Sequence, residues 1–274
     1  MVSMDKHIFT VDVEEFYHAE NILRSVPGNI IDGLPDRAGI GVHKILKILE
    51  DTGNKGTFFV LGCVAERNKE LVREISDCGH EVASHGYDHI PLYKHNAASF
   101  ERDLDRSIKI LSDIIGSGIK GYRAASFSLS KDMPWFFDTL IKHGIMYDSS
   151  LAASLFRKYS YEGTDRILEF PVSFITLGPL RLPLGGGYFR ALPYIMTLGG
   201  LRSNSPDRVI PPLFYIHPWE LDPEQPRLKT PWMRSFRHYL NLAGTKERLE
   251  RLLTDIKFTS IERYLKESKE NKRS

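Results

Sequence analysis

The feature that most narrows the fold of this chain is a repeated switch of period. Short apolar runs rich in β-formers alternate with stretches whose apolar residues recur at helical spacing. Residues 7–13 read as a buried strand; Val42, Ile45, Leu46 and Leu49 then share one helix face that stops at Gly53. Residues 57–61 return to a strand, and a helical pattern through Val64, Leu71, Val72 and Ile75 ends at Gly79. The alternation continues with a strand at 80–84, a long helix over 99–115, a strand at 120–124, a helix at 131–143 and an extended piece at 145–147. Such a chain makes right-handed βαβ units and a mostly parallel sheet, open or closed into a barrel. Beyond Ser150 the pattern loosens. Residues 169–176 and 213–217 still read as strands and 191–199 as a helix, and 245–256 form an amphipathic helix through Leu249, Leu252 and Leu253.

With 274 residues and 42% hydrophobic content, the chain can bury one large core, so one main domain is expected. The 37 basic and 35 acidic residues nearly cancel, which leaves no electrostatic case for nucleic acid as a partner. Residues 1–6 already carry Asp5 and Lys6, and the apolar run at 8–13 is too short for a signal-peptide core or a membrane span, so a cytoplasmic location is expected. Cys63 and Cys78 form no CxxC pair and read as buried thiols.

Polar residues gather just past the predicted strand ends, where barrels and doubly wound sheets keep their active sites. Asp12, Glu14 and Glu15 end the first strand, and strand alternation puts Asp12 and Glu14 on the same side. Two acids on one face repel unless something positive lies between them, so the pair is either a solvated strand end or part of a cation site. His85 and His89 stand four residues apart at the exit of the 80–84 strand. Two histidines and a carboxylate that leave one coordination position open are a standard hydrolytic zinc set.

The order of motifs resembles the polysaccharide deacetylases of carbohydrate esterase family 4, also called NodB-like. After the acid-rich strand at 10–15 come Gly56-Thr57-Phe58-Phe59-Val60, the stretch from Gly79 to His89, then Gly121-Tyr122-Arg123-Ala124-Ala125-Ser126-Phe127-Ser128. Tyr147-Asp148-Ser149-Ser150 and Phe214-Tyr215-Ile216-His217-Pro218 complete the set. The likeness implies a distorted (β/α) barrel of seven strands, with a deacetylase domain over 5–220 and a C-terminal extension over 221–265 packed on it; the charged run over 266–274 reads as a disordered tail. The segments 185–190 and 217–227 further resemble a subgroup tied to exopolysaccharide assembly.

The resemblance also implies roles. Glu14, His85 and His89 would bind one divalent ion, zinc before cobalt. The family usually has Asp where this chain has Glu14, so Glu15 stays open as the alternative ligand. Asp12 would be the general base, oriented by Arg123, and His217 the general acid, its pKa raised by a nearby carboxylate. The backbone amides near Tyr87 and Asp88 are candidate oxyanion donors. Tyr188, Phe189 and Trp219 are candidate sugar-binding aromatics, with a place in the core as the equal alternative. The glycines at 185–187 permit close backbone approach, loop motion or a plain turn. His7, His18, His43, His80, His95, His143 and His238 carry no such constellation.

The reaction implied is hydrolysis of the N-acetyl group of an N-acetylated sugar or glycan precursor, lipid-linked or nucleotide-linked. Two other readings stand beside it: a hydrolase of a small amide or cyclic ureide on the same scaffold, and a silent glycan-binding member.

Overall fold

The computed structural model describes residues 7–130, 132–151, 167–178, 180–203 and 210–271. Ten strands occur among them: β1 His7–Val13, β2 Thr57–Val60, β3 Glu81–Ser84, β4 Gly121–Tyr122, β5 Tyr147–Asp148, β6 Leu168–Glu169, β7 Phe174–Leu177, β8 Leu180–Pro183, β9 Leu213–Ile216 and β10 Phe258–Thr259. Eight form one parallel sheet in the order β10-β1-β2-β3-β4-β5-β6, with β9 also on β1. Ile8 pairs with both β9 and β10, and Thr10 with both β9 and β2, so β10 and β2 lie end to end along one edge of β1. The sheet therefore has seven positions around its curl, as the resemblance implies. The Ser173 amide donates to Leu213 O at 3.2 Å and ties the segment after β6 back toward β9.

Strand alternation divides the buried residues into two layers. Phe9, Val11 and Val13 of β1, Phe58 and Val60 of β2 and Phe214 and Ile216 of β9 join the main core with the helices. The helix Ala38–Thr52 contributes Val42, Ile45 and Leu49 and the helix Ala97–Ile115 contributes Phe100, Leu104 and Leu111 to that core. The opposite face of the strands fills the inside of the curl with Ile8, Phe59, Ala83, Tyr147, Leu213 and Tyr215. At about 25 cal/mol per Å² of apolar surface removed from water, the outer layer supplies most of the burial free energy. The inner layer is narrower, and it carries the polar residues described below.

Several boundaries differ from the sequence expectation for identifiable reasons. The helical pattern over 64–75 splits into Gly62–Arg67 and Lys69–Asp77, because Asn68 breaks the chain and caps the second helix by accepting the Leu71 amide at 3.1 Å. Residues 169–176 are not one strand: Leu168–Glu169 ends the large sheet, while Phe174–Leu177 forms an antiparallel hairpin with Leu180–Pro183. The region after residue 220 is woven into the sheet through β10 beside His7 and Ile8. The helix Ile261–Asn271 continues through residues expected to fray, and 272–274 lie outside the described residues. Cys63 is buried as expected, but Cys78 is exposed. No helix among the described residues is long and apolar enough to cross a membrane.

Candidate active site

The inward alternation that places Ile8 and Thr10 inside the curl carries on to Asp12 and Glu14, at the C-terminal end of β1. The same parity brings in His85 after β3, Arg123 after β4 and His217 after β9, so five side chains from four strands meet at one end of the sheet. Asp12, Glu14, His85 and His217 stand at the base of a cleft of about 500 Å³ that is also lined by Tyr188, Phe127 and Trp219, with Arg123 buried behind them.

Glu14, His85 and His89 form a three-donor cluster whose ligand atoms all lie within 4.8 Å of one another. His85 Nδ1 sits 2.8 Å from Arg123 O, and the carbonyl can only accept, so the proton is on Nδ1 and the Nε2 lone pair is free. Burial pushes the His85 pKa down to about 4, which keeps the ring neutral at pH 7. His89 adopts a left-handed backbone, φ 56°, a conformation costing roughly 1–2 kcal/mol in a non-glycine residue. That turn aims its Nε2 at Glu14 Oε2, 2.8 Å away. Glu14 Oε2 is buried and makes no aligned hydrogen bond. Burial acts to raise the Glu14 pKa, but His89 and His217 beside it hold the carboxyl well below its ordinary range. A buried carboxylate oxygen 2.8 Å from His89 Nε2, beside the free Nε2 of His85, is a donor set suited to a divalent cation.

Asp12 accepts from Arg123 Nη1 at 2.6 Å, with both side chains almost wholly buried. Arg123 is itself fixed by Thr10 Oγ1 at 2.9 Å and by Ser149 Oγ at 2.7 Å, and the Ala124 amide donates to Ser150 Oγ. The serines of the 147–150 motif thus serve to hold the arginine segment. Beyond Arg123, Ser126 and Phe127 line the cleft in left-handed backbone, φ 55° and 50°.

The opposite wall is built by the segment after β9. His217 Nε2 lies 4.0 Å from Asp12 Oδ2 and 3.7 Å from Glu14 Oε1. Its Nδ1 bonds Glu220 Oε1 at 2.8 Å, and Glu220 Oε2 accepts from Arg190 Nε at 2.6 Å. Burial opposes the charged ring, yet Glu14 and the Glu220 hydrogen bond push the His217 pKa up to about 9. Trp219 stacks between His217 and His238, with ring centroids 5.1 and 4.4 Å away, and donates Nε1–H to Glu14 Oε1 at 3.1 Å. Gly185 makes the close approach that fixes this wall: a Cβ there would meet Tyr215 O at 2.2 Å. Gly41 does the same on the other side, where a Cβ would fall 1.9 Å from Pro218 O.

The expected residues divide accordingly. Asp12, Glu14, His85, His89, Arg123 and His217 come together, and Tyr188 lines the cleft. Phe189 does not: it is 1% exposed and packs on Phe214 at 5.0 Å, a core aromatic. Trp219 reaches the cleft but is 7% exposed and bonded to Glu14, so it braces a carboxylate more than it offers an open ring. Glu15 turns away from the cluster and accepts the Arg37 and Ala38 amides at 2.7 and 3.0 Å, capping the helix Ala38–Thr52. The Tyr87 amide donates to Asp103 Oδ2 at 2.9 Å and is no longer free for an oxyanion. Sequence reasoning missed Glu220, Arg190, His18 and His238. Glu220 had a signal, a carboxylate three residues after His217; His18, whose ring stacks on His89 at 5.9 Å, had none.

Comparison with known proteins bears on the family and the fold. Residues 36–142 match the family "Polysaccharide deacetylase", and residues 141–266 match "Domain of unknown function (DUF3473)". The chain is 32% identical over 120 residues to the peptidoglycan deacetylase of Helicobacter pylori, covering 44% of this chain and 40% of that protein. It thus spans about two fifths of that relative's length. Among solved structures, a polysaccharide deacetylase described as putative from Mycobacterium smegmatis matches 97% of this chain and 90% of its own, with 22% identity and a TM-score of 0.61. A CE4 family pseudoenzyme from Bacillus anthracis matches 96% of this chain and 66% of its own, at 12% identity and a TM-score of 0.50. Both likenesses are of fold. The two matched families meet inside the site: His85, His89 and Arg123 fall in the first, and Arg190, His217, Trp219 and Glu220 in the second.

Proposed function

The chain carries a domain of the polysaccharide deacetylase family, the NodB-like type of carbohydrate esterase family 4, and on that premise we propose that it hydrolyses the N-acetyl group of an N-acetylated sugar with one divalent ion held by Glu14, His85 and His89. The observation that carries the reading is the meeting of that buried cluster with Asp12 and His217 at the base of one cleft. When bound, the ion supplies a Lewis acid that polarises the amide carbonyl and makes water easier to deprotonate. Asp12, held in place by the Arg123 ion pair, accepts the proton of the attacking water. His217, held by Glu220 with its Nε2 toward the same space, delivers a proton to the departing amine nitrogen, which leaves poorly as an anion. Trp219 fixes Glu14 and so couples the two walls.

Glu14 is one methylene longer than the aspartate usual in the family. Its Oε2 still comes to 2.8 Å of His89 Nε2, which supports a ligand role in place of Glu15. The volume of the cleft, about 500 Å³, and its lining by Tyr188 and the exposed Phe236 favour a sugar over a small cyclic amide. The test is acetate release from N-acetylated oligosaccharides and sugar nucleotides with Zn²⁺, Co²⁺ or chelator, for wild type, Asp12→Asn and His85→Ala. Metal-dependent release is expected in the wild type, with a loss of about 100-fold or more in Asp12→Asn. His85→Ala is expected to bind no metal. Wild-type protein that binds metal and releases no acetate points to the small-amide hydrolase, and one that binds no metal to the silent glycan binder.

A further inference from the structure

The helix Trp232–Tyr239 stands at the rim of the cleft and has two unlike faces. His238 stacks inward on Trp219, and Tyr239 packs against the cluster of Phe16, Tyr17 and Ile22. Trp232, Met233 and Phe236 point outward, 77%, 61% and 58% exposed. Phe236 and Arg237 also line the cleft, so this apolar face and the cleft mouth open on the same side of the molecule. Leu23, itself exposed at the end of the short helix Glu20–Leu23, extends the face, because Arg234 Nη1 donates to Arg24 O at 3.1 Å and brings that helix alongside.

Charge selects the occupant. The whole chain is nearly balanced, yet no Asp or Glu occurs from Pro226 to Lys246, a stretch that holds Arg227, Lys229, Arg234 and Arg237. Arg227, Lys229 and Arg237 are exposed, and Glu20 at the rim is already paired with Arg24. Arg227 lies over the Tyr239 ring of the same helix, 5.1 Å from its centroid, and exposed large apolar side chains beside an excess of cations suit an interface that is apolar just below an anionic surface. A neutral glycan gains from the rings but nothing from the cations.

We propose that this face docks on an anionic lipid bilayer and holds the mouth of the cleft against the membrane surface. The inference is independent of turnover, since docking uses none of the residues at the base of the cleft.

The test is co-sedimentation of the full chain with vesicles of phosphatidylcholine alone or mixed with phosphatidylglycerol, for wild type, Trp232→Ser/Met233→Ser and Arg227→Glu/Lys229→Glu. The wild type is expected to bind the mixed vesicles, with a blue shift of tryptophan emission, and to be released at about 0.5 M salt. Each double variant is expected to bind about tenfold more weakly with an unchanged circular dichroism spectrum. Wild-type protein that stays in solution with both vesicle types overturns the proposal, as does equal binding to neutral and mixed vesicles. Quenching of tryptophan emission by a soluble N-acetylated oligosaccharide without vesicle binding also overturns it and assigns the face to glycan stacking.

Discussion

The two walls of the cleft are assembled by different means. The wall at β1, β3 and β4 is made by strand parity: Asp12 lies near the end of β1, and Glu14, His85 and Arg123 each follow the last residue of a strand of the same parallel sheet. The facing wall is made by a relay of side chains, in which Arg190 holds Glu220, Glu220 holds His217, and Trp219 reaches across to Glu14. The first wall is placed by backbone pairing, with the buried Asp12–Arg123 ion pair behind it. The second is positioned by hydrogen bonds between buried charged groups, which lose their partners one by one.

Four experiments press on that difference. In the first wall, Arg123→Met leaves Asp12 buried without its cation, and a urea melt is expected to show a loss of about 3–5 kcal/mol. A loss under about 1 kcal/mol means that solvent reaches Asp12 and that the pair is not what positions it. In the second wall, Glu220→Gln keeps the shape but removes the charge facing His217. Turnover is expected to fall about 10- to 100-fold, or roughly 1.4–2.7 kcal/mol, with bound metal unchanged. If metal content falls in step with turnover, the two walls are not separable. Trp219→Phe removes only the donor to Glu14, so metal affinity is expected to drop by roughly tenfold, read by competition with a chelating dye. Unchanged affinity would break the proposed link between the walls.

The smallest effect lies behind the first wall, in the buried carboxyls Asp148 and Glu169. Burial raises both pKa values, Asp148 to about 6, and Glu169 Oε2 has no donor unless one of the two keeps its proton. A carboxyl whose folded pKa is raised gives stability that is present below its unfolded value near 4 and is lost as pH rises through the folded value. Thermal stability is thus expected to decline from pH 5 to pH 8, and Glu169→Gln to flatten that decline by about 1 kcal/mol or less. Parallel decline of wild type and variant in melts at three pH values would show that the pair does not share a proton.

The same contrast separates what was legible in the sequence from what was not. Strand and helix periods gave the parallel sheet up to residue 150, because local apolar spacing there matches the final burial. Past that point the pattern misled: β7 and β8 form their own hairpin, and β10 enters the sheet from a segment read as an appendage. Phe189 looked the same as Tyr188 in sequence, and only the packing on Phe214 decided that it belongs to the core. Glu15 stood as the alternative to Glu14; in the structure it accepts the Arg37 and Ala38 amides at a helix N-terminus instead.

By itself, then, the amino-acid order determined the strands up to residue 150 and the one ending before His217, and that Asp12 and Glu14 face the same side; the order of motifs added His85, His89, Arg123 and His217 through the family resemblance. Tertiary structure alone decided that Glu220 and Arg190 orient His217, that Trp219 braces Glu14 and that His18 and His238 flank the cluster. The reason is physical: facing is set by period along a strand, a property of neighbours in the chain, whereas partnership of buried charges is set by distances between segments as many as 205 residues apart.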